Sequence, residues 1–404
     1  MAKLLGATHS IATPAGRPAG FVLIFALRRT ILWLSRFAVF LARWMGKPLR
    51  LGSAIFVARH EDVIEVLSRD LDFRIQPVDG PRFDQIGFHF ILGMDRSAEL
   101  ARERHALYAA LAAVDMKPVR DAAAKEISGR IELAPGAIDL VHDYARPVAA
   151  ATAQALFGIA PENETQFMDA SRAIFGHCFL NIANDPVITQ RAMDSAVLVR
   201  GWFAAEIQRR RENGDLGQDM MGHLLRAGND DDLTCRTLGG MLVGSIDTTA
   251  TAVAKIMTVL IADPVAMAGA TQDIHHIRRL YGWCQEALRR WPQTPMLIRQ
   301  APAETQLGGV AVPANSTIWM LTQAAMHDAS AFPDPKRMRP DRPTAAYLHL
   351  GEGLHACAGR GISAWQIPML IGGLLSRKPT QLEPMRWAGP FPAHLIVRFG
   401  EEAA

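Results

Sequence analysis

The chain is poor in cysteine, with four in 404 residues. Cys178, Cys235, Cys284 and Cys357 are too scattered for a disulfide framework, and such usage suits a reducing compartment. No second cysteine lies at ligand spacing from Cys357, which leaves little basis for a structural zinc site. An excess of one charge is also lacking: the net charge is +3 and the pI about 8.7, so nothing marks a dedicated nucleic-acid binder. Internal repeats, low-complexity tracts and linkers are absent. So is an uninterrupted apolar run near the N-terminus. Phe21 to Met45 is apolar, but Arg28, Arg29, Arg36 and Arg43 interrupt it, and a bilayer span tolerates few charges. No secretory cleavage site follows it. Arg29, Arg36 and Arg43 share one stripe of a helix. Two readings stay open: this helix packs on the body, or it rests on a membrane surface as a peripheral contact of a cytoplasmic protein. Residues 1–20, rich in Gly, Pro and Ala, are expected to be poorly ordered.

What is present is apolar and largely helical in pattern. Hydrophobic residues make up 49% of the chain, enough for a large core, and with no linker residues 21–404 read as one domain. Ser53 to Arg59 reads as a strand and His60 to Leu67 as a helix. Asp79 to Met94 is loop-like, with Gly80, Pro81 and Gly87. Asp95 to Leu111 is a charged helix, and helical stretches continue from Pro118 through Arg226. Leu307 to Ile318 reads as two short strands around turns, and Pro368 should kink the last helix.

Residues 233–261 form the longest strongly apolar helix candidate, which places it in a core. Asp247-Thr248-Thr249 in its middle is anomalous, because a buried carboxylate is costly unless paired or hydrogen-bonded. Gly244 shares a face with Thr248 and opens a groove. The stretch is either a hydrogen-bonded polar bend or a proton relay. Tyr281 to Trp291 is a helix ended by Pro292, with Glu286 and Arg289 on one side.

Leu350-Gly351-Glu352-Gly353-Leu354-His355-Ala356-Cys357-Ala358-Gly359 is the densest chemical signal. Its glycines let the backbone turn tightly and approach a flat ligand. Cys357 falls just before a helix, whose N-terminal end favours thiolate over thiol. Either this is a buried cysteine in a glycine-rich turn, or the loop delivers one thiolate to a haem iron, donating electron density that favours O–O cleavage.

The loop resembles the haem-binding loop of the cytochrome P450 family, Phe-Gly-x-Gly-x-His/Arg-x-Cys-x-Gly, with Leu350 in place of Phe. Gly244-Ser245-Ile246-Asp247-Thr248-Thr249 resembles the family's oxygen-activating motif; Ser245 replaces the usual second Gly and either narrows the groove or adds a hydroxyl to the relay. Glu286-Ala-Leu-Arg289 resembles its Glu-x-x-Arg helix, completed by Arg342 of a Pro-Asp-Arg-Pro segment. The motifs occur in the family's order, and the resemblance spans most of residues 51–400.

The resemblance implies a mainly α single-domain fold with a small β region, holding haem b (iron protoporphyrin IX). It implies a monooxygenase that inserts one atom of O₂ into an organic substrate. Cys357 would ligate iron, Thr248 would hold the oxygen species or a water, and Asp247 would feed protons. His355 and Arg299, with Gly351, Gly353 and Gly244, would border the haem. The family's propionate-binding His and Arg fall on Glu99 and Glu103 in direct register, and a one-residue slip offers Arg104 instead. Glu286, Arg289 and Arg342 would be structural. Phe88, Phe90, Met241, Pro295 and Met296 would line a largely apolar pocket. No flavin or iron–sulfur motif is present, so electrons would come from a ferredoxin and its reductase, or an equivalent donor, docking beside Arg360. A peroxygenase, an isomerase or dehydratase, and a non-catalytic haem sensor are the competing readings.

Overall fold

The computed structural model describes residues 46–181, 183–389 and 391–400. The expectations for residues 1–20 and 21–45 therefore lie outside the described residues. In chain order the helices are α1 (His60–Ser68), α2 (Gln76–Gln85), α3 (Ala98–Ala113), α4 (Met116–Glu132), α5 (Arg146–Phe157), α6 (Glu164–Phe175), α7 (Pro186–Asn213), α8 (Met220–Arg226), α9 (Asp231–Val243), α10 (Asp247–Ile261), α11 (Pro264–Gln272), α12 (Ile277–Arg290), α13 (Thr322–Ala325) and α14 (Arg360–Leu375). The strands are β1 (Leu49–Leu51), β2 (Ala54–Val57), β3 (Ala137–Asp139), β4 (Leu297–Ala301), β5 (Thr305–Leu307), β6 (Val310–Val312), β7 (Ser316–Met320), β8 (Pro379–Leu382), β9 (Arg386–Ala388), β10 (Phe391–His394) and β11 (Ile396–Phe399).

Local chemistry sets many of the helix starts. Ser97, Asp115, Asn163, Asp185, Asp219, Asp230 and Asp263 each accept a backbone N–H of the first turn they precede. Gly158 and Gly214, both left-handed, end α5 and α7. The main sheet runs β1-β2-β7-β4. Its β2 pairs in parallel with β7, Phe56 opposite Trp319, while β4 runs antiparallel to β7, Arg299 opposite Ile318. A second sheet places β11 between β3 and β8, and β5–β6 and β9–β10 are hairpins.

The core is helical. α10 is buried on nearly all sides and packs on α5, α12, α14 and β10. A smaller apolar cluster, with Ile55, Val57, Phe73, Ile318 and Met320, sits under the main sheet. The fold is mainly α with a small β region, as the resemblance implies.

Two local expectations are corrected. Residues 233–261 are not one helix, because the chain breaks at 244–246 between α9 and α10. At the break Leu242 O accepts from Ser245 N at 3.0 Å, Ser245 Oγ at 2.8 Å and Ser171 Oγ at 3.0 Å. Ser245 thus stabilises the turn through its own hydroxyl. The 79–94 stretch is not simply a loop. α2 covers its first part despite Gly80 and Pro81, because Asp95 Oδ1 accepts the N–H groups of Ile75 and Gln76, both at 3.0 Å. That cap comes from twenty residues downstream, out of reach of local pattern. Finally, α14 carries Pro368 within its span and is not ended by it; the kink expected there is a matter of its axis, not of its extent.

Candidate functional site

The Cys357 loop enters α14, and α14 packs on α10, the helix that begins at Asp247. Gly351 and Gly353 have φ of +66° and +71°, the left-handed region that glycine adopts without strain. A Cβ at Gly353 would overlap the Leu67 carbonyl, which ties the loop to α1. Cys357 N donates to Leu350 O at 2.9 Å, closing the loop. The backbone N–H groups of Gly359 and Arg360 reach the Cys357 sulfur and favour its thiolate, as does the Arg360 charge. Burial outweighs them and holds the thiol above its ordinary range, contrary to the expectation from the helix end alone. A soft metal cation at the sulfur would reverse that balance. Among the described residues no group of three His, Cys, Asp or Glu side chains could hold a metal ion, and Cys357 is the loop's one thiol.

Gly244 is exposed although it interrupts the most apolar segment of the chain. A Cβ there would meet nothing nearer than Met241 O at 3.8 Å, so open space lies beside the break. The Thr248 hydroxyl donates to Gly244 O, and Thr249 Oγ1 donates to Ser245 O at 2.8 Å, so side chains satisfy carbonyls that the break frees. The Gln293 side-chain amide also donates to Thr248 O. Gly244 therefore borders open space, and Thr248, half-buried, is hydrogen-bonded to its carbonyl.

Asp247 is 1% exposed and is held by two arginines that sequence reading missed. Arg172 of α6 reaches its Oδ1 with Nε at 2.8 Å and Nη2 at 2.5 Å, and Arg146 of α5 brings Nε within 3.1 Å of the same oxygen. Oδ2 is buried without a hydrogen-bond partner. Arg146 also reaches Asp169 at 3.0 Å, which extends the charge chain outward. No local motif announces these contacts, since Arg172 lies 75 residues before Asp247.

Cationic groups gather near the Cys357 loop. Arg104, the residue that the slipped register selects, donates its Nε to Leu354 O at 3.2 Å. Glu103 faces elsewhere, pairing with Arg236 of α9 at 2.9 Å. Arg299 on β4 is buried; its Nη1 donates to Ile298 O at 2.7 Å, and desolvation pulls its pKa down against the pull of Asp79 and Asp95. His355 is pushed down to about 4, first by burial and then by Arg299 and Arg104. A neutral imidazole and two guanidiniums placed this way fit the carboxylates of a haem, the group the loop is expected to hold.

Glu286 organises the structural unit. Its oxygens accept from Arg289 at 2.7 and 2.9 Å, from Arg339 N at 2.9 Å and from Tyr347 OH at 2.8 Å, with Arg342 Nε at 3.4 Å. These bonds hold the Glu286 carboxyl below its ordinary range despite burial. Arg342 goes on to the carbonyls of Pro333 and Asp334, at 2.8 and 3.0 Å. Tyr347 is the member that the sequence motif did not reveal.

The expected pocket residues disperse. Phe88 and Phe90 are buried against Gly239 and Gly240 of α9, where any Cβ would overlap their rings, so they serve packing. Pro295 is exposed, and Met296 packs with Phe56 and Ala324 beside Leu49, Ala58 and Leu321. Met241 alone stays next to the break, one turn before Gly244. A different aromatic set converges instead. Phe391 meets Phe175 at 5.3 Å, Phe175 meets Phe179 at 4.8 Å, and Phe179 meets Phe83 at 5.6 Å between ring centroids. Arg172 lies over the Phe391 ring at 5.4 Å, so this aromatic row adjoins the Asp247 ion pair.

Comparison with known proteins agrees with this geometry. Residues 54–384 match the family described as Cytochrome P450. The chain is 26% identical to 6-deoxyerythronolide B hydroxylase of Saccharopolyspora erythraea over 60% of its length and 59% of the relative's. It is also 26% identical to nocardicin C N-oxygenase of Nocardia uniformis, over 80% and 81%. The match thus spans about three fifths of the first curated relatives. The open form of cytochrome P450 EryK from S. erythraea superposes with a TM-score of 0.75 at 22% identity, covering 90% of this chain and 95% of that one. CalO2 superposes with a TM-score of 0.78 at 18% identity, covering 91% and 96%. With the family model matching most of the chain, the protein is a member of the cytochrome P450 family, whose cofactor is haem.

Proposed function

We propose that the protein is a haem-thiolate monooxygenase that inserts one oxygen atom from O₂ into a largely apolar organic molecule. The observation that carries this reading is the acid–alcohol pair at the helix break: Asp247, buried and half-satisfied, next to Thr248, which is hydrogen-bonded to the carbonyl of Gly244 beside open space. Haem ligated by thiolate would supply the oxygen-activating chemistry. Cys357 would hold its iron, while Arg299, Arg104 and His355 would hold its carboxylates. The Thr248 hydroxyl, donating to Gly244 O, keeps lone pairs that can accept a hydrogen bond from a water or ligand in the open space. Asp247 keeps Oδ1 on the arginines and offers Oδ2 to take up and release a proton. Phe175, Phe179 and Phe391, with Met241, would hold the apolar skeleton of the substrate and exclude water.

Electrons would come from a separate ferredoxin-type or flavin donor meeting the Cys357 side near Arg360, and the protein would work in the cytoplasm. The acid–alcohol pair favours this reading over a peroxygenase, an isomerase or a passive sensor. The CO difference spectrum of the reduced protein tests the first step. A strongly red-shifted Soret band, lost in Cys357→Ala, is the expected result; no haem band would sink the proposal. Incorporation of label from ¹⁸O₂ into product then separates a monooxygenase from an isomerase or a sensor, and dependence on O₂ with reduced donor, with no turnover on peroxide alone, separates it from a peroxygenase.

A further inference from the structure

Among the described residues, Leu180, Val187, Ile188, Met193, Val197 and Leu198 are all exposed large apolar side chains within one short stretch of chain. Val187 and Val197 are 75% and 71% exposed, far beyond what an ordinary core-facing helix leaves in water. α7 already buries its proper stripe, Ala192, Ser195, Ala196, Val199, Phe203 and Ile207. Its opposite face runs Val187, Arg191, Asp194, Leu198 and Gly201 at spacings of three and four, with Val197 beside it. Over about three turns this outer face carries one cation and one anion, otherwise apolar or small side chains, and the neutral Gln190 whose amide donates to Asp194 at 2.9 Å. Both faces of the helix are therefore apolar, and one of them lacks a cover within the described chain.

We propose that this face is a two-fold interface with a second copy of the chain, α7 lying antiparallel on its counterpart. The argument is self-complementarity. In a two-fold contact residue i meets j and j meets i. Setting Arg191 opposite Asp194 of the second copy forms two equivalent ion pairs. The same register sets Val187 opposite Leu198, apolar against apolar, on the same stripe as the two ion pairs. The neighbouring register that sets Asp194 opposite itself puts like charges together. An anionic membrane gains little here, because the face is neutral overall and carries Asp194 at its centre. One helix face is smaller than a standard stable interface, so the association is reversible and depends on concentration.

The test is sedimentation of the haem-loaded full chain over a concentration series. The wild type should pass from monomer to dimer. Asp194→Arg and Arg191→Asp should each weaken the dimer by about tenfold or more, by setting like charges opposite. The double variant Arg191→Asp/Asp194→Arg should restore it to within about threefold of wild type, since the swapped pair is again complementary. A simple loss of folding would not be rescued in this way, and the haem band reports folding in every sample. A chain that stays monomeric at all concentrations overturns the proposal. So does a dimer indifferent to these charges. Binding to anionic vesicles that Val197→Glu abolishes would assign the face to a membrane instead. Dimerisation appearing only after removal of residues 1–45 would mean that the chain's own N-terminal segment covers it.

Discussion

Arg172 sets two nitrogens on one oxygen of Asp247 and lays its guanidinium over Phe391, so a single side chain joins the buried carboxylate to the aromatic row. Removing it should leave Asp247 with Arg146 alone. Arg172→Leu is expected to destabilise the fold by about 3 kcal/mol, the low end for breaking a buried pair by one partner, since Arg172 is partly exposed. Adding Asp247→Asn should recover part of that loss, because the stranded charge is gone. Urea unfolding of the two single variants and the double variant measures the cycle. Strict additivity would show that the pair is not coupled.

Gly240 leaves room for the Phe90 ring, and a methyl group there overlaps it. Gly240→Ala should cost about 1–3 kcal/mol by overpacking. Phe90→Leu should relieve much of that cost in combination. Thermal unfolding of the four proteins decides whether Phe90 is packing, as its burial indicates, or a pocket wall that a methyl group would leave undisturbed.

Arg289 makes two bonds to Glu286 and also donates to Met326 O at 3.1 Å. Lysine carries one ammonium and cannot span these acceptors in a plane. Arg289→Lys should destabilise by about 3 kcal/mol and lower the fraction of protein purified with haem. Denaturant midpoints and the ratio of haem to protein absorbance give the two readouts, and an unchanged midpoint would contradict the hub role.

Lys255 is buried in α10, donating to Pro292 O at 2.7 Å beside the Trp291 ring, and burial pulls its pKa down to about 8. In the unfolded chain it titrates near 10.5. Between these values the unfolded state holds more protons, so stability should rise with pH across roughly 8 to 10.5. Below about 8 the folded state carries the full cost of the buried charge. The stability of wild type relative to Lys255→Met should therefore climb through that window, by at most about 1.4 kcal/mol per pH unit. Urea unfolding at intervals of half a pH unit follows it; a flat difference would refute the assignment.

The parts legible in the sequence share one property: their partners lie nearby in the chain, or their chemistry tolerates few substitutes. Glu286 and Arg289 are one turn apart, and Cys357 sits among glycines whose positive φ values constrain what can replace them. Arg146 and Arg172 were hidden because an arginine on a helix usually reads as a solvated face, and only tertiary packing brings Asp247 to them. Phe391 was hidden for a similar reason: a strand near the C-terminus gives no hint that it crosses to α6. Aromatic content misled in the other direction, since Phe88 and Phe90 owe their burial to Gly239 and Gly240 on a distant helix. The break after Gly244 depends on Ser171 as well as on Ser245, and so exceeds what one segment can encode.

The parallel pairing of β2 with β7 sets a schedule for synthesis. Phe56 meets Trp319, so the strand made first waits for one made roughly 260 residues later. At about 5–20 residues per second, that interval is on the order of ten seconds or more on the ribosome. Throughout it, Ile55 and Val57, both fully buried in the finished sheet, have no partner from β7. The nascent chain must shelter this edge by some other contact, and a ribosome that stalls between the two strands would leave a sticky, unpaired ribbon for the cell's chaperones to hold.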